Sequence, residues 1–269
     1  MWSETIGYRQ HRKPYLPQFF AAVAEAIPLT GQENLLDLGC GTGEVALGFA
    51  PYVGSLTGMD LEDPMLAEAA RKAEAIGCNI RLIQSRVEDA PARLGRFDLI
   101  TMGRAHWYLH TAESLRQLDR WLKPEGRILV CRPLQNPDGA EWREVFMATR
   151  AQWARDELRQ LRQLNEDQFF VGTPFVPFKR VIAHGEQQLQ LEHLIFRALG
   201  TPSTTRARLG ADAERMIAAL QAAMAPYFLN GPITERLSTL GVLYSRAPTA
   251  PKVEAAAVAE SVAFSQGDG

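Results

Sequence analysis

Residues 34–43 constrain the fold more than any other part of this 269-residue chain. A short apolar run, typical of a buried strand, breaks into three glycines spaced two residues apart at Gly39, Gly41 and Gly43. Apolar residues then recur at helical spacing over 44–50. This order of strand, glycine turn and helix predicts the start of a nucleotide-binding α/β unit, because glycine permits positive φ angles and a close approach of backbone to ligand.

Acidic side chains around this turn indicate the kind of ligand. Asp37 precedes the first glycine by two residues, and Glu44 directly follows the last one. A pyrophosphate would favour bare amides at a helix N-terminus, whereas two carboxylates favour a cationic ligand. A second predicted strand ends at Asp60, where a carboxylate can accept hydrogen bonds from both hydroxyls of a ribose.

Two motifs at this separation resemble a known family. Residues 36–43 resemble motif I of the class I S-adenosylmethionine (SAM)-dependent methyltransferases, and residues 58–66 are similar to the acidic second motif of that family. The resemblance is to the small-molecule, type 11-like subgroup. It implies an α/β, Rossmann-like sheet of seven strands, mostly parallel, with an antiparallel last strand and a helical cap inserted after strand five. It also implies SAM as cofactor and methyl transfer to a small-molecule acceptor by in-line displacement.

The resemblance assigns cofactor-binding residues in four segments. Asp37 would face the sulfonium side of the turn, the glycines would make room for methionine and ribose, and Asp60 would grip the ribose. Arg86 stands where the family often has an acid, so backbone amides near Val87 are expected to meet the adenine. The expected cofactor-binding residues are Asp37, Gly39, Cys40, Gly41, Gly43, Asp60, Leu61, Met65, Arg86, Val87, Glu88, Met102 and Gly103.

The loop at 102–110 follows the fourth predicted strand and carries the catalytic candidates. Open α/β sheets bind ligands at the carboxyl ends of their strands, so this loop is expected to face the reaction centre. His106 is the first candidate for acceptor positioning or proton removal, because an imidazole titrates near neutral pH. Tyr108, His11 and His110 are further candidates.

The chain is expected to divide into four parts. A SAM-binding core spans 1–132 and includes a lid at 13–17, which resembles a family segment that closes over the cofactor. A helical and aromatic cap spans 133–177 and is expected to contain a long helix from 140 to 164. Residues 178–246 supply the remaining core strands, with strand-like alternation at 178–182 and 187–192, and a second cap helix at 206–223. Within the core, Asp63 is expected to be the N-cap of the helix that follows Asp60. Residues 247–269 are expected to form a flexible tail. Cap aromatics favour a partly apolar acceptor, and nearby arginines suit a carboxylate equally well; these aromatics are Trp153, Phe169, Phe170, Phe175 and Phe178.

Composition limits the classes of partner. With 29 basic and 31 acidic residues, the chain has a net charge of −2 and lacks an electrostatic footprint for nucleic acid or an anionic membrane. Its three cysteines lack metal-ligand spacing, so we expect no metal site. No signal peptide or apolar run of ~18 residues is apparent, which predicts a cytoplasmic protein. The sequence leaves open whether the protein forms a homodimer.

Three alternative functions remain open from the residues alone. A nicotinamide-dependent oxidoreductase is compatible with a weak G-x-G-x-x-A match at 41–46, although the flanking acids disfavour it. A methyltransferase acting on RNA or protein is a second alternative, which the balanced charge disfavours for RNA. A non-catalytic SAM-binding relative is the third. The sequence does not distinguish O-, N- and C-methylation.

Overall fold

A computed structural model describes residues 12–91, 93–134, 138–154 and 169–247 of the chain. His11, the tail from 248 onward and the second half of the helix predicted from 140 to 164 lie outside these residues.

A single sheet holds the described strands in the order β3-β2-β1-β4-β5-β7-β6. β1 to β5 run parallel to one another, and β7 is antiparallel to both β5 and β6. The strands are β1 (Asn34–Leu38), β2 (Ser55–Asp60), β3 (Ile80–Gln84), β4 (Phe97–Gly103), β5 (Leu122–Pro133), β6 (Phe175–Leu189) and β7 (Ile233–Arg246). The predicted Rossmann-like sheet of seven strands with an antiparallel last strand is therefore confirmed.

Helices cover both faces of this sheet. They are α1 (Pro17–Ala26), α2 (Glu44–Gly48), α3 (Asp63–Ala75), α4 (Ala112–Trp121), α5 (Glu141–Ala151), α6 (Leu191–Leu199), α7 (Arg206–Leu209) and α8 (Asp212–Met224). Leu35 and Leu36 are adjacent on β1 and point to opposite faces, so Leu35 joins the core with Phe19 and Leu36 joins the core with Trp121. Burial on both faces explains why the central strands are almost continuously apolar.

A third apolar cluster forms the helical cap, which we define as α5, α6 and α8. Trp142 and Phe146 of α5 pack with Leu194 of α6 and with Met216 and Leu220 of α8. These helices come from segments separated by β6, so the two predicted cap segments pack together as one layer. α5 directly follows β5 along the chain, whereas α6 and α8 follow β6.

Several local predictions differ from the structure. Two strands were predicted between 178 and 192, but β6 is one 15-residue strand, because β7 pairs with it along its length. The last cap helix is interrupted at Gly210, whose φ is +57°. Asp63 was predicted as the N-cap of α3, but it is the first helical residue and Glu62 is the N-cap.

Candidate active site

The glycine turn after β1 has the predicted backbone geometry. Gly39, Gly41 and Gly43 adopt φ angles of +64°, +55° and +80°, which other residues rarely adopt. A Cβ at Gly39 would lie 2.6 Å from Cβ of Ala105, so the loop after β4 packs directly on the turn. A Cβ at Gly43 would lie 3.3 Å from Cβ of Ala69 on α3. The glycine turn therefore packs closely against both the loop after β4 and α3.

Asp60 is bonded to the turn from the end of β2. Its Oδ2 accepts a hydrogen bond of 2.7 Å from the Gly41 amide, and its Oδ1 accepts one of 3.0 Å from the Glu62 amide. The side chain is partly exposed toward the cavity described below. Each carboxylate oxygen has a second lone pair, so both can still accept a hydroxyl of a ligand.

Asp37, on β1 just before the glycine turn, links the turn to neighbouring elements. Only 1% of this residue is exposed. Its Oδ1 accepts a hydrogen bond of 2.7 Å from the Thr101 hydroxyl on β4, and its Oδ2 accepts one of 3.3 Å from the Ala46 amide on α2. Burial raises the pKa of this carboxyl to about 7, against the effect of both hydrogen bonds. Asp37 thus joins β1, β4 and α2 at the floor of the site.

A cavity of about 860 Å³ opens at the carboxyl ends of β1, β2 and β4. Among the predicted cofactor residues, its wall includes Asp37, Gly39, Cys40, Gly41, Asp60, Leu61, Met65, Arg86, Val87, Glu88 and Gly103. The structure does not bring Gly43 or Met102 to this wall. Gly43 begins α2 behind the turn, and the Met102 side chain is fully buried in the core with Leu36, because side chains of β4 alternate between the two faces.

The catalytic candidates have different environments. His106 lines the cavity but is only 1% exposed, and its ring lies 4.5 Å from that of Trp107 and 5.8 Å from that of Phe169. Tyr108 lines the same wall and is half-exposed. His110 lies outside the wall, with its ring 5.3 Å from that of Phe169. Whether His106 or Tyr108 acts on an acceptor stays a prediction.

The N-terminal segment, residues 12–16, contributes three side chains to the cavity wall, and its closure over a cofactor stays a prediction. Lys13 and Tyr15 are both buried and line the cavity. Arg104 holds the segment in place: its guanidinium bonds the Lys13 carbonyl at 3.2 Å, lies 4.8 Å above the Tyr15 ring and pairs with Glu44 at 2.5 Å. Arg104 has a φ of +55°, an uncommon value for a residue with a side chain.

The cap aromatics that the sequence suggested for an acceptor pocket do not line the cavity. Phe169, Phe170 and Phe175 are buried in the sheet core, where Phe170 packs 4.6 Å from the Tyr244 ring. Phe178 is exposed on the edge strand β6. None of them lines the cavity, and neither does Trp153. The side chains that the cap contributes instead are Phe146, Met147, Arg150 and Arg197, joined by Thr201 after α6, by Arg132 and Pro133 from the end of β5 and by Arg12.

A buried charge network supports this end of the cavity. Glu235 on β7 is fully buried and accepts hydrogen bonds of 2.8 and 3.0 Å from Arg197. Lys13 Nζ lies 3.8 Å from Glu235 and Arg143 lies 3.5 Å from it. Burial lowers the pKa of Lys13 to about 7, since Glu235 counteracts the desolvation only in part and Arg143 and Arg197 oppose the charged form. The chain distance between residues 13, 197 and 235 explains why no sequence pattern indicated this network.

Two further properties of the described residues bear on function. They contain no group of three or more side chains arranged to hold a metal ion. In this part of the chain, none of the helices combines the length and apolar character needed to cross a bilayer. The cytoplasmic location and the homodimer stay predictions.

Comparison with known proteins identifies the segment that carries the turn. The sequence model of the "Methyltransferase domain" family matches residues 35–126. An uncharacterized methyltransferase, YcgJ of Bacillus subtilis, is 35% identical over 101 residues, which are 37% of this chain and 40% of YcgJ. Demethylmenaquinone methyltransferase of Thermus thermophilus is 35% identical over 113 residues, or 40% of this chain and 50% of that enzyme. The chain thus spans half or less of these relatives.

Solved structures share the fold over most of the chain. YjhP of Escherichia coli superimposes with a TM-score of 0.55 at 20% identity, covering 91% of this chain and 98% of YjhP. YcgJ gives 0.50 at 22% identity, with 86% and 99% covered. The [4+2]-cyclase SpnF also gives 0.50, at 18% identity, with 88% and 84% covered. Since proteins named for different reactions share this fold, the fold alone does not determine the reaction.

Proposed function

We propose that residues 35–126, which match the "Methyltransferase domain" model, form a class I SAM-dependent methyltransferase domain, and that the protein transfers a methyl group from SAM to a small-molecule acceptor. One observation carries the proposal: a single cavity is lined by the glycine turn and Asp60 on one side and by the cap on the other. A cofactor and an acceptor can therefore meet inside one enclosure. The family match ends at residue 126, before the cap, so the acceptor is the least determined part of this proposal.

The residues of the turn side suit the chemical groups of SAM. The Asp60 carboxylate is placed to accept hydrogen bonds from a ribose diol, and Met65 and Val87 supply apolar surface for a flat base. Asp60 and Glu62 add negative charge to the turn side, where Glu44 is paired with Arg104, and this charge favours a ligand with ammonium and sulfonium groups. When bound, SAM supplies an electrophilic methyl group.

The residues of this chain mainly position and shield the reactants. Methyl transfer from a sulfonium is an in-line displacement, so the alignment of acceptor and methyl group accounts for much of the rate. The N-terminal segment, held by Arg104, lines the cavity next to the turn and would help to exclude water from it. His106 and Tyr108 lie on the loop after β4, where they can orient the acceptor or take its proton as the methyl transfers.

Calorimetric titration with SAM, S-adenosylhomocysteine (SAH) and NADH tests the cofactor side. Replacing Asp60→Ala should weaken SAH binding by about 10- to 100-fold, because hydrogen bonds to a charged group contribute about 1.5–3 kcal/mol. Asp63→Ala is the matched control, because Asp63 lies three residues away, is exposed and does not line the cavity. Equal affinity in both variants would refute the ribose assignment, and selective NADH binding would favour the oxidoreductase alternative.

Isotope transfer tests the reaction itself. The protein is incubated with SAM bearing a deuterated methyl group and with the small-molecule or the macromolecular fraction of a bacterial extract. We expect labelled product in the small-molecule fraction only. Label in RNA or protein would identify a macromolecular acceptor. SAM binding without labelled product in either fraction would favour the non-catalytic alternative.

A further inference from the structure

Charged side chains are unevenly distributed along the cavity wall. The acidic residues of the wall are Asp37, Glu44, Asp60, Glu62 and Glu88, and all belong to the turn side. Two arginines on this side are paired with two of these acids, Arg104 with Glu44 and Arg86 with Glu88. Among the described residues, the wall contains no acid beyond residue 88. The cap side instead presents a group that we call the cationic end: Arg12, Lys13, Arg132, Arg150 and Arg197. Two ends of opposite charge favour two ligand groups of opposite charge.

The cationic end is drawn from four separate parts of the fold. Arg132 lies at the end of β5, Arg150 on α5 and Arg197 on α6, whereas Arg12 and Lys13 belong to the N-terminal segment. Such convergence of like charges on one cavity is electrostatically costly unless a ligand or neighbouring acids offset the repulsion. Arginine also presents paired donors that match a carboxylate in a bidentate geometry.

Part of the cationic end is fixed in position by buried partners. Glu235 holds Arg197 through two hydrogen bonds, and Lys13 donates a hydrogen bond of 2.9 Å to the Leu134 carbonyl. Arg12 donates to the Gly200 carbonyl at 2.8 Å. These contacts hold the positive charges near the cavity before any ligand binds, which lowers the entropic cost of binding an anion.

Apolar side chains adjoin the charges. Phe146 and Met147 of α5 and Pro133 at the end of β5 line the same side of the cavity. A fully hydrophilic anion would leave these surfaces in contact with water, whereas an organic acid with an apolar body would cover them.

We propose that the cap side of the cavity binds the methyl acceptor through a carboxylate, and that the acceptor is an organic acid with an apolar body. The role of the bound acid as methyl acceptor rests on the proposed function. The binding of a carboxylate at the cap side rests only on the distribution of charge along the cavity wall.

Benzoate and benzamide are suitable test ligands, because they share a shape and differ in charge. Binding is measured by saturation-transfer NMR and calorimetry, with and without saturating SAH. Benzoate should bind in both conditions, and benzamide should bind at least about tenfold more weakly. Arg132→Gln and Arg150→Gln should each weaken benzoate about tenfold or more while SAH affinity stays within twofold. Arg71→Gln is the control, because Arg71 is exposed on α3 and does not line the cavity.

The outcomes separate this inference from the proposed function. Equal binding of benzamide, absence of saturable benzoate binding, or unchanged binding in both arginine variants would overturn it. Displacement of benzoate by SAH would also overturn it, since the cationic end would then serve the methionine carboxylate of the cofactor. Selective benzoate binding in a protein that does not bind SAH would sustain the anion site and refute the proposed function.

Discussion

The buried carboxylate of Glu235 yields a prediction whose size follows from its contacts. Glu235→Gln keeps the shape of the side chain and removes its charge. The Arg197 guanidinium would then lose its anionic partner. The new amide NH₂ group would also face another donor, either the Arg197 guanidinium or Gln187 Nε2, which lies 2.6 Å from Glu235 Oε2. We therefore expect Glu235→Gln to lower the free energy of unfolding substantially.

Removal of one partner from a buried ion pair typically costs about 3–5 kcal/mol. Glu235 is fully buried and lies within 4 Å of Lys13, Arg143 and Arg197, so the full range applies. For a chain of this size, where 1 kcal/mol shifts the melting temperature by about 2–4 °C, the midpoint should fall by about 6–20 °C. Urea unfolding and thermal melting at neutral pH measure the effect.

Glu186→Gln is the matched control on the neighbouring strand. Glu186 lies 3.7 Å from Arg236, but both side chains are more than half exposed, so the change should stay within about 0.5 kcal/mol. Arg197→Met added to Glu235→Gln removes one of the stranded cations. The double variant should therefore be more stable than the sum of the single effects predicts, by about 0.5–3 kcal/mol.

The pH dependence of the same variant gives an independent check. Burial raises the pKa of Glu235, but hydrogen bonds from Arg197 and Gln187 and the charge of Lys13 outweigh it and leave the pKa below 4.5. Stability from a lowered carboxyl pKa is present above the unfolded value and is lost as pH falls through the folded value. The gap between wild type and Glu235→Gln should thus shrink below about pH 4.5. A gap under 1 kcal/mol at neutral pH would refute the reasoning.

Two more predictions concern the cavity. Gly103→Ala would place a Cβ 2.5 Å from Val45 Cγ2 and 2.9 Å from Tyr15 Oη. It should destabilise the protein by about 1–3 kcal/mol in melting experiments, and Val45→Ala should partly restore stability, whereas an unchanged midpoint would contradict the packing. Benzoate affinity should fall as pH rises through about 7, because Lys13, facing Glu235, Arg143, Arg197 and Asp138, then loses its proton. Lys13→Met should flatten this profile in calorimetry; an equally steep profile would assign the titration elsewhere.

The cofactor side of the site was accessible from sequence because its signals are local. Three glycines at fixed spacing require positive φ angles within a few residues, and Asp60 ends a strand whose apolar pattern is plain. The parallel order of β1 and β2 then brings Asp60 to the turn, where it bonds the Gly41 amide. The same logic misplaced Met102, because loop and strand positions at the end of β4 could not be distinguished by pattern.

For the helical cap, local sequence signals did not identify the residues that line the cavity. Aromatic residues are expected in a substrate pocket, yet three of those in the cap segment lie in the core on one face of the sheet: Phe169, Phe170 and Phe175. An aromatic residue satisfies core and pocket equally well, so composition cannot distinguish the two environments. The phenylalanine that does line the cavity, Phe146, also belongs to the apolar cluster of the cap.

The sequence by itself determined the fold class, the glycine turn and the carboxylate at the end of β2, because each depends on contacts or backbone angles within a short stretch. Only the tertiary structure decided the charge of the cap side of the cavity. Arg12, Arg132, Arg150 and Arg197 are scattered over 186 positions of a chain with a net charge of −2. They meet because β5, the cap and the N-terminal segment converge on one cavity, and a local electrostatic potential depends on distances in space rather than on the overall balance of charge.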